Sequence, residues 1–177
     1  MRNHILFVLC FLFLNACTER LYVSSDYDDS VSLIEYKTFA WAENQEQPIR
    51  GNPQFDNELN RKRITEAIEN KLEILGLEKV DSSPDLLIDF HLLVDQRAYY
   101  TAHDYYPFAF RYWPNYEISS YIVKTSTIVI HFVDFNKEQL VWQGTGSWTL
   151  ASPPLSEDQI QSAINEIIDQ FQKSRLR

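Results

Sequence analysis

The sequence predicts an α+β fold, a two-layer sandwich in which one mainly antiparallel sheet of about five strands carries two amphipathic helices on one face. Three observations lead there. Apolar residues recur at helical spacing in two segments, they alternate along five others, and polar or turn-forming stretches separate the segments. The chain has 177 residues, 45% hydrophobic and 23% charged, which suits one globular domain and not a disordered chain.

Leu21–Asp26 reads as a short strand, followed by the acidic turn Asp26–Ser30. A calcium loop is excluded there, because Val31 stands where the sixth-position glycine belongs and Lys37 where the bidentate Glu belongs. Tyr36–Trp41 alternates as a second strand, and residues 43–57 form a polar connection. Asn57–Leu75 is a helix with Ile64, Ile68, Leu72 and Leu75 on one stripe beside Ala67. Asp56 or Asn57 caps it, Gly76 ends it, and Arg61-Lys62-Arg63 is placed on its outer face.

Asp85–Asp95 follows as a strand with Ile88, Phe90, Leu92 and Val94 on one face and Asp89, His91, Leu93 and Asp95 on the other. Ile118–Asp134 sets Ile128, Ile130 and Phe132 against Thr127, Val129, His131 and Val133. Leu140–Leu150 sets Leu140, Trp142 and Trp148 against Gln143, Thr145, Ser147 and Thr149, with a hairpin turn at Asn136-Lys137. The last helix opens on the capping box Ser156–Gln159, with Leu155 and Ile160 as a hydrophobic staple. It buries Ile160, Ile164, Ile167 and Phe171, and closes on Lys173, Arg175 and Arg177, as the macrodipole favours.

Charge and glycine usage exclude two broad classes. With 16 Lys+Arg against 25 Asp+Glu the net charge is -9, the wrong sign for a phosphate-tracking nucleic-acid binder. The four glycines frame no phosphate-cradling loop before a helix, and no other cofactor motif is present.

The N-terminus reads as an address. Ile5–Leu14 is an unbroken apolar run of ten residues, half of the roughly 20 a membrane-spanning helix needs and the length of a signal-peptide core. Leu14-Asn15-Ala16-Cys17 then resembles the bacterial lipobox, which implies acylation of Cys17. The expected division is a signal peptide at 1–16, a lipidated N-terminus and short tether at 17–21, and a single α+β domain at 22–177. Cleavage removes Arg2 and Cys10, leaving 15 cations against 25 acids, a charge of -10, and no free thiol. A lipoprotein's several acyl chains hold it to the membrane permanently, since each buried methylene contributes about 0.8 kcal/mol. Thr18 stands where an inner-membrane retention signal would have Asp. The expected location is therefore the outer membrane of a Gram-negative bacterium, lipid-anchored and facing the periplasm.

Four segments carry a family resemblance: Val23–Asp28, Tyr36–Trp41, Pro84–Ile88, and Val133-Asp134 together with Leu140–Gly144. In this order, after a lipobox, they resemble the domain-of-unknown-function 4136 family of bacterial lipoproteins. The resemblance implies the fold and the envelope location and carries over no catalytic residue.

Two sets of residues compete as functional candidates. Gln96–Ser119 holds nine aromatics in 24 residues, and reads as a long loop whose Tyr99, Tyr100, Tyr105, Tyr106, Phe108, Tyr112, Trp113 and Tyr116 form a contact surface for an envelope protein or a glycan. The alternatives are a cover for the open face of the sheet, or an extension of the two flanking strands that shortens the loop. The other set is His91 and His131 on the polar face, with Asp89 or Asp95 nearby, which would serve a metal-dependent protein or enzyme. No tight ligand spacing supports a metal, so none is assigned. Gly144-Thr145-Gly146-Ser147 is not a nucleophile elbow, and its glycines make room for a bulge or for a closely packed helix. The expectation is a non-enzymatic binding or structural module, anchored to the membrane by its lipid.

Overall fold

The computed structural model describes residues 21–43, 55–104, 116–150 and 156–176, with backbone alone at 96, 98–104, 116–123 and 150. The described elements are β1 (Tyr22–Tyr27), a 3-10 turn (Leu33–Glu35), β2 (Thr38–Trp41), α1 (Glu58–Ile74), β3 (Glu78–Lys79), β4 (Leu86–Asp104), β5 (Tyr116–Asp134), β6 (Gln139–Leu150) and α2 (Glu157–Arg175). They form a six-stranded open sheet in the order β1-β6-β5-β4-β2-β3. The α+β sandwich is as expected, with one strand more than the five anticipated. That extra strand, β3, is two exposed residues at the sheet edge, too short to show any alternation. Pairing is antiparallel from β1 through β4, whereas β2 runs parallel to both β3 and β4. The parallel pair is possible because α1 carries the chain back across the sheet between β2 and β4.

Both helices are terminated by the residues the sequence offers. The Asn57 side chain accepts from the backbone N–H of Asn60 at 2.9 Å, and Gly76 leaves α1 at φ +82°, a conformation that favours glycine. In α2, Ser156 and Gln159 exchange both hydrogen bonds of the capping box. The core fills the space between helices and sheet: Ile64, Ile68 and Leu72 from α1 and Ile160, Ile164, Ile167 and Phe171 from α2 meet Ile88, Phe90, Leu92, Ile128, Ile130, Phe132 and Trp142. The Phe171 ring stands edge-on to Phe132 with centroids 4.5 Å apart.

Gly144 and Gly146 lie where α2 presses on the sheet. A Cβ at either position would stand 2.7 Å from an Ile167 methyl. Close helix packing, not a bulge, therefore accounts for the glycines. A bulge does occur nearby. The β5–β6 register shifts between Phe132 and Val133, so Phe132 faces Trp142 while Val133 faces Leu140. Val141 is the extra residue, and it turns into the core while Leu140 stays half exposed. The expectation that Leu140 faces inward is thus corrected: one inserted residue inverts the parity of everything before it.

Two other readings change. Arg61-Lys62-Arg63 is not one free outer face, since Arg61 is bound to Asp56 at 2.6 Å, Arg63 approaches Glu157 at 3.6 Å and Lys62 approaches Glu66 at 3.7 Å. In the aromatic-rich region the alternative of extended flanking strands is the one observed, and the loop is shorter than 96–119. β4 and β5 pair without interruption from Leu86↔Asp134 out to Asp104↔Tyr116, which places Tyr99, Tyr100 and Tyr116 on strands. Tyr105, Tyr106, Phe108, Tyr112 and Trp113 lie outside the described residues, as does the whole signal and lipidation segment with Cys17.

Candidate functional site

The two faces of the sheet are set by strict alternation, and the face away from the helices is built of polar rungs. One rung runs Asp26–Gln143–His131–Asp89 across β1, β6, β5 and β4. The next runs Ser24–Thr145–Val129–His91, and the third Tyr22–Ser147–Thr127–Leu93. Hydroxyls tie neighbouring strands within two of the rungs: Ser24 Oγ lies 2.7 Å from Thr145 Oγ1, and Thr127 Oγ1 lies 2.8 Å from Ser147 Oγ. Cross-strand pairs of this kind add a few tenths to about 1 kcal/mol each.

His91 and His131 are brought together, as neighbouring strands would require. The β4–β5 register sets His131 directly opposite Asp89 and diagonal to His91. The two imidazole centroids are 5.0 Å apart, with the rings tilted edge to face. His91 Nε2 stands 3.2 Å from Asp89 Oδ2, with both side chains about a quarter exposed. His131 Nε2 is 2.9 Å from Gln143 Oε1. Donor atoms of Asp89, His91 and His131 all lie within 4.8 Å of one another. Asp95 does not join them and instead binds Arg97 at 2.8 Å. Gln143 is the member that sequence reasoning missed, although its parity had already placed it on this face.

A second polar constellation lies a few rungs away, where β4 begins and β5 ends. Asp85 Oδ2 accepts from the backbone N–H groups of Lys37 at 2.7 Å and Thr38 at 2.9 Å, while the Asp85 N–H donates to Thr38 Oγ1 at 2.9 Å. Asp134 accepts from the Tyr36 hydroxyl at 2.7 Å and from the N–H groups of Asn136 and Lys137, each at 2.9 Å. For Asp85, the Lys37 N–H is the main reason its carboxyl sits below the ordinary carboxylate range. For Asp134, burial pushes upward, and the Tyr36 hydroxyl with the two backbone donors more than offsets it, so the net direction is down. Burial first, then the hydrogen bond to Asp134, raises the Tyr36 phenol. Arg175 completes the knot by donating to the backbone carbonyls of Tyr36 and Leu75, each at 3.3 Å. These groups are engaged in holding chain segments together, which is structural work.

A shallow hollow of about 250 Å³ lies beside the bulge, lined by Tyr27, Leu140, Val141, Trp142 and Gln143 among others. That is below the roughly 300–1,000 Å³ of ordinary small-molecule sites.

The model of the family described as Domain of unknown function (DUF4136) matches residues 23–171. The chain belongs to this family. Solved structures agree on the fold. A DUF4136 family protein from Bacteroides thetaiotaomicron is 16% identical, with 88% of this chain and 97% of that one aligned at a TM-score of 0.53. A PDZ domain protein from Parabacteroides distasonis is 18% identical at a TM-score of 0.55; 96% of this chain aligns, but it spans only 40% of that protein's length. No curated protein matches the chain. Within this DUF4136 domain, no described helix is long and apolar enough to cross a membrane.

Proposed function

We propose that this DUF4136 protein is a lipid-anchored component of the cell envelope, held at the outer membrane through Cys17 with its domain in the periplasm, and that the domain is a non-enzymatic binding module. Its contact is the β4–β5 hairpin, and its partner is another envelope protein. One observation carries the reading: the described pairing of β6 with β5 reaches Lys124↔Leu150, whereas β4 and β5 are described as paired through eight further rungs from Arg97↔Val123 to Asp104↔Tyr116. Over those rungs no third strand is present among the described residues. Isolated two-stranded ribbons are only marginally stable in water, so such an arm gains by engaging something else. Its unpaired strand edges suit backbone pairing with an extended protein segment. Tyr99, Tyr100 and Tyr116 lie on the arm, and Tyr105, Tyr106, Phe108, Tyr112 and Trp113 fall between its strands in sequence. Such side chains give large contact area at small entropic cost.

The test is capture from native envelopes by the lipidated protein and by a form in which Tyr99–Tyr116 is replaced by a tight turn, with folding checked by circular dichroism. A defined protein recovered with the full arm and lost with the short one is expected. Equal recovery by both folded forms, or recovery by neither, would refute the arm as the contact. Cys17→Ser should abolish fatty-acid labelling and release the protein from the outer-membrane fraction; retention there without label would refute the anchor.

A further inference from the structure

The geometry points to a divalent transition-metal site on the polar sheet face, formed by Asp89, His91 and His131 and oriented by Gln143. It is independent of the hairpin arm. Two imidazoles and one carboxylate suit a borderline-soft cation such as Zn²⁺. At zinc bond lengths of about 2.0–2.1 Å, tetrahedral ligand atoms lie roughly 3.3–3.4 Å apart. The three donors here are within 4.8 Å of one another, so small side-chain rotations close the remaining gap. His91 Nε2 and Asp89 Oδ2, at 3.2 Å, are already at that spacing.

The surroundings fit as well. When His131 Nε2–H donates to Gln143 Oε1, at 2.9 Å, the ring's lone pair rests on Nδ1, the nitrogen then left to ligate. A second hydrogen bond of this kind is the usual way a ligating histidine is held in its tautomer. All ligands stand on β4 and β5, which pair with each other at this level of the sheet, with β6 on the other side of β5, so the backbone is held by ladder pairing. The side chains of Asp89 and His91 remain about a quarter exposed, leaving room for water to complete the coordination. The net charge of -9 favours accumulation of cations around the protein.

The experiment is titration of the full chain, purified metal-free in detergent, with Zn²⁺ against a chromogenic chelator. It is paired with Co²⁺ absorption and with ring-nitrogen NMR of His91, His103 and His131, the histidines of the mature protein. One equivalent should bind, and His91→Gln, His131→Gln and Asp89→Asn should each weaken binding at least tenfold. Gln143→Leu should weaken it less, because it removes only the orienting bond. In the unmodified protein, Zn²⁺ should shift the ring nitrogens of two histidines, and the two variants should assign them. Absence of stoichiometric binding would overturn the inference. So would binding undiminished by the joint His91→Gln, His131→Gln replacement, or NMR shifts confined to His103.

Discussion

Asp134 is where a single substitution should reveal most about how this fold is held. Its carboxylate is buried and receives three hydrogen bonds, one from the Tyr36 hydroxyl at 2.7 Å and two from backbone N–H groups at 2.9 Å. Asp134→Asn can keep the two backbone donors on its remaining oxygen but turns an NH₂ toward the Tyr36 hydroxyl. Hydrogen bonds to charged groups contribute about 1.5–3 kcal/mol each, so a loss of about 2–3 kcal/mol is expected in urea unfolding followed by tryptophan fluorescence. Tyr36→Phe removes the conflicting donor. The double variant should therefore be less destabilised than the sum of the singles by about 1.5–3 kcal/mol, the coupling being confined to this pair. The pH dependence supplies a separate check. The folded-state carboxyl titrates below its ordinary range, so its stabilisation is fully present above the unfolded value of about 3.9 and is lost as pH falls through the lower folded value. The stability gap between the natural protein and Asp134→Asn should then narrow between pH 6 and pH 3. A gap that stays constant with pH, or additive effects of the two substitutions, would refute the reasoning.

Two further outcomes test the packing. Gly146→Ala would bring a Cβ to 2.7 Å from Ile167 Cδ1 and should cost about 1–3 kcal/mol through overpacking. Ile167→Val removes that methyl, so the double variant should recover about 1 kcal/mol relative to the sum, and strict additivity in denaturation would count against the close approach. At the bulge, Val141→Ala should cost about 2 kcal/mol of lost burial, while Leu140→Ala, at a half-exposed site, should cost less than about 1 kcal/mol. The reverse order would mean that β6 runs without the inserted residue.

Elements with local signals were legible in the sequence. Both helices carry their caps in the chain, at Asn57 and Ser156, and their apolar stripes are the ones buried. The faces of β4 and β5 followed from alternation, because Phe90, Ile130 and Phe132 on one side and Asp89, His91 and His131 on the other differ sharply in polarity. Leu140 misled because a bulge shifts parity without any local mark. The parallel β2–β4 pairing was not legible, since it depends on where α1 returns the chain. The hairpin extension was open in the sequence as a lengthening of the two flanking strands, whose Tyr, Thr, Ile and Val residues favour β structure, but alternation alone could not say where the strands end. At the candidate site, alternation gave the shared face of the three ligands. Only the register, setting His131 opposite Asp89, gave their proximity.

The segments that mark the family converge on the fold's own joints, and this bears on where function should be sought. Tyr36 and Thr38 from one segment, Asp85 from another and Asp134 from a third meet in a network that ties the start of β2 to the ends of β4 and β5. The Phe135 N–H donates to the Asp85 carbonyl at 3.0 Å and closes it. Val23–Asp28 pairs with the glycine-bearing stretch of β6, where Gly144 and Gly146 admit Ile167 of α2. Residues occupied in this way are poor candidates for chemistry, because the carboxylates and hydroxyls of Tyr36, Thr38, Asp85 and Asp134 already serve structural partners. Asp89, His91, His131 and the β4–β5 arm stand outside those segments, on surfaces the core does not need. A family likeness carried by the joints therefore predicts a shared scaffold, and leaves the polar face and the arm as the surfaces on which the two proposals are to be tested.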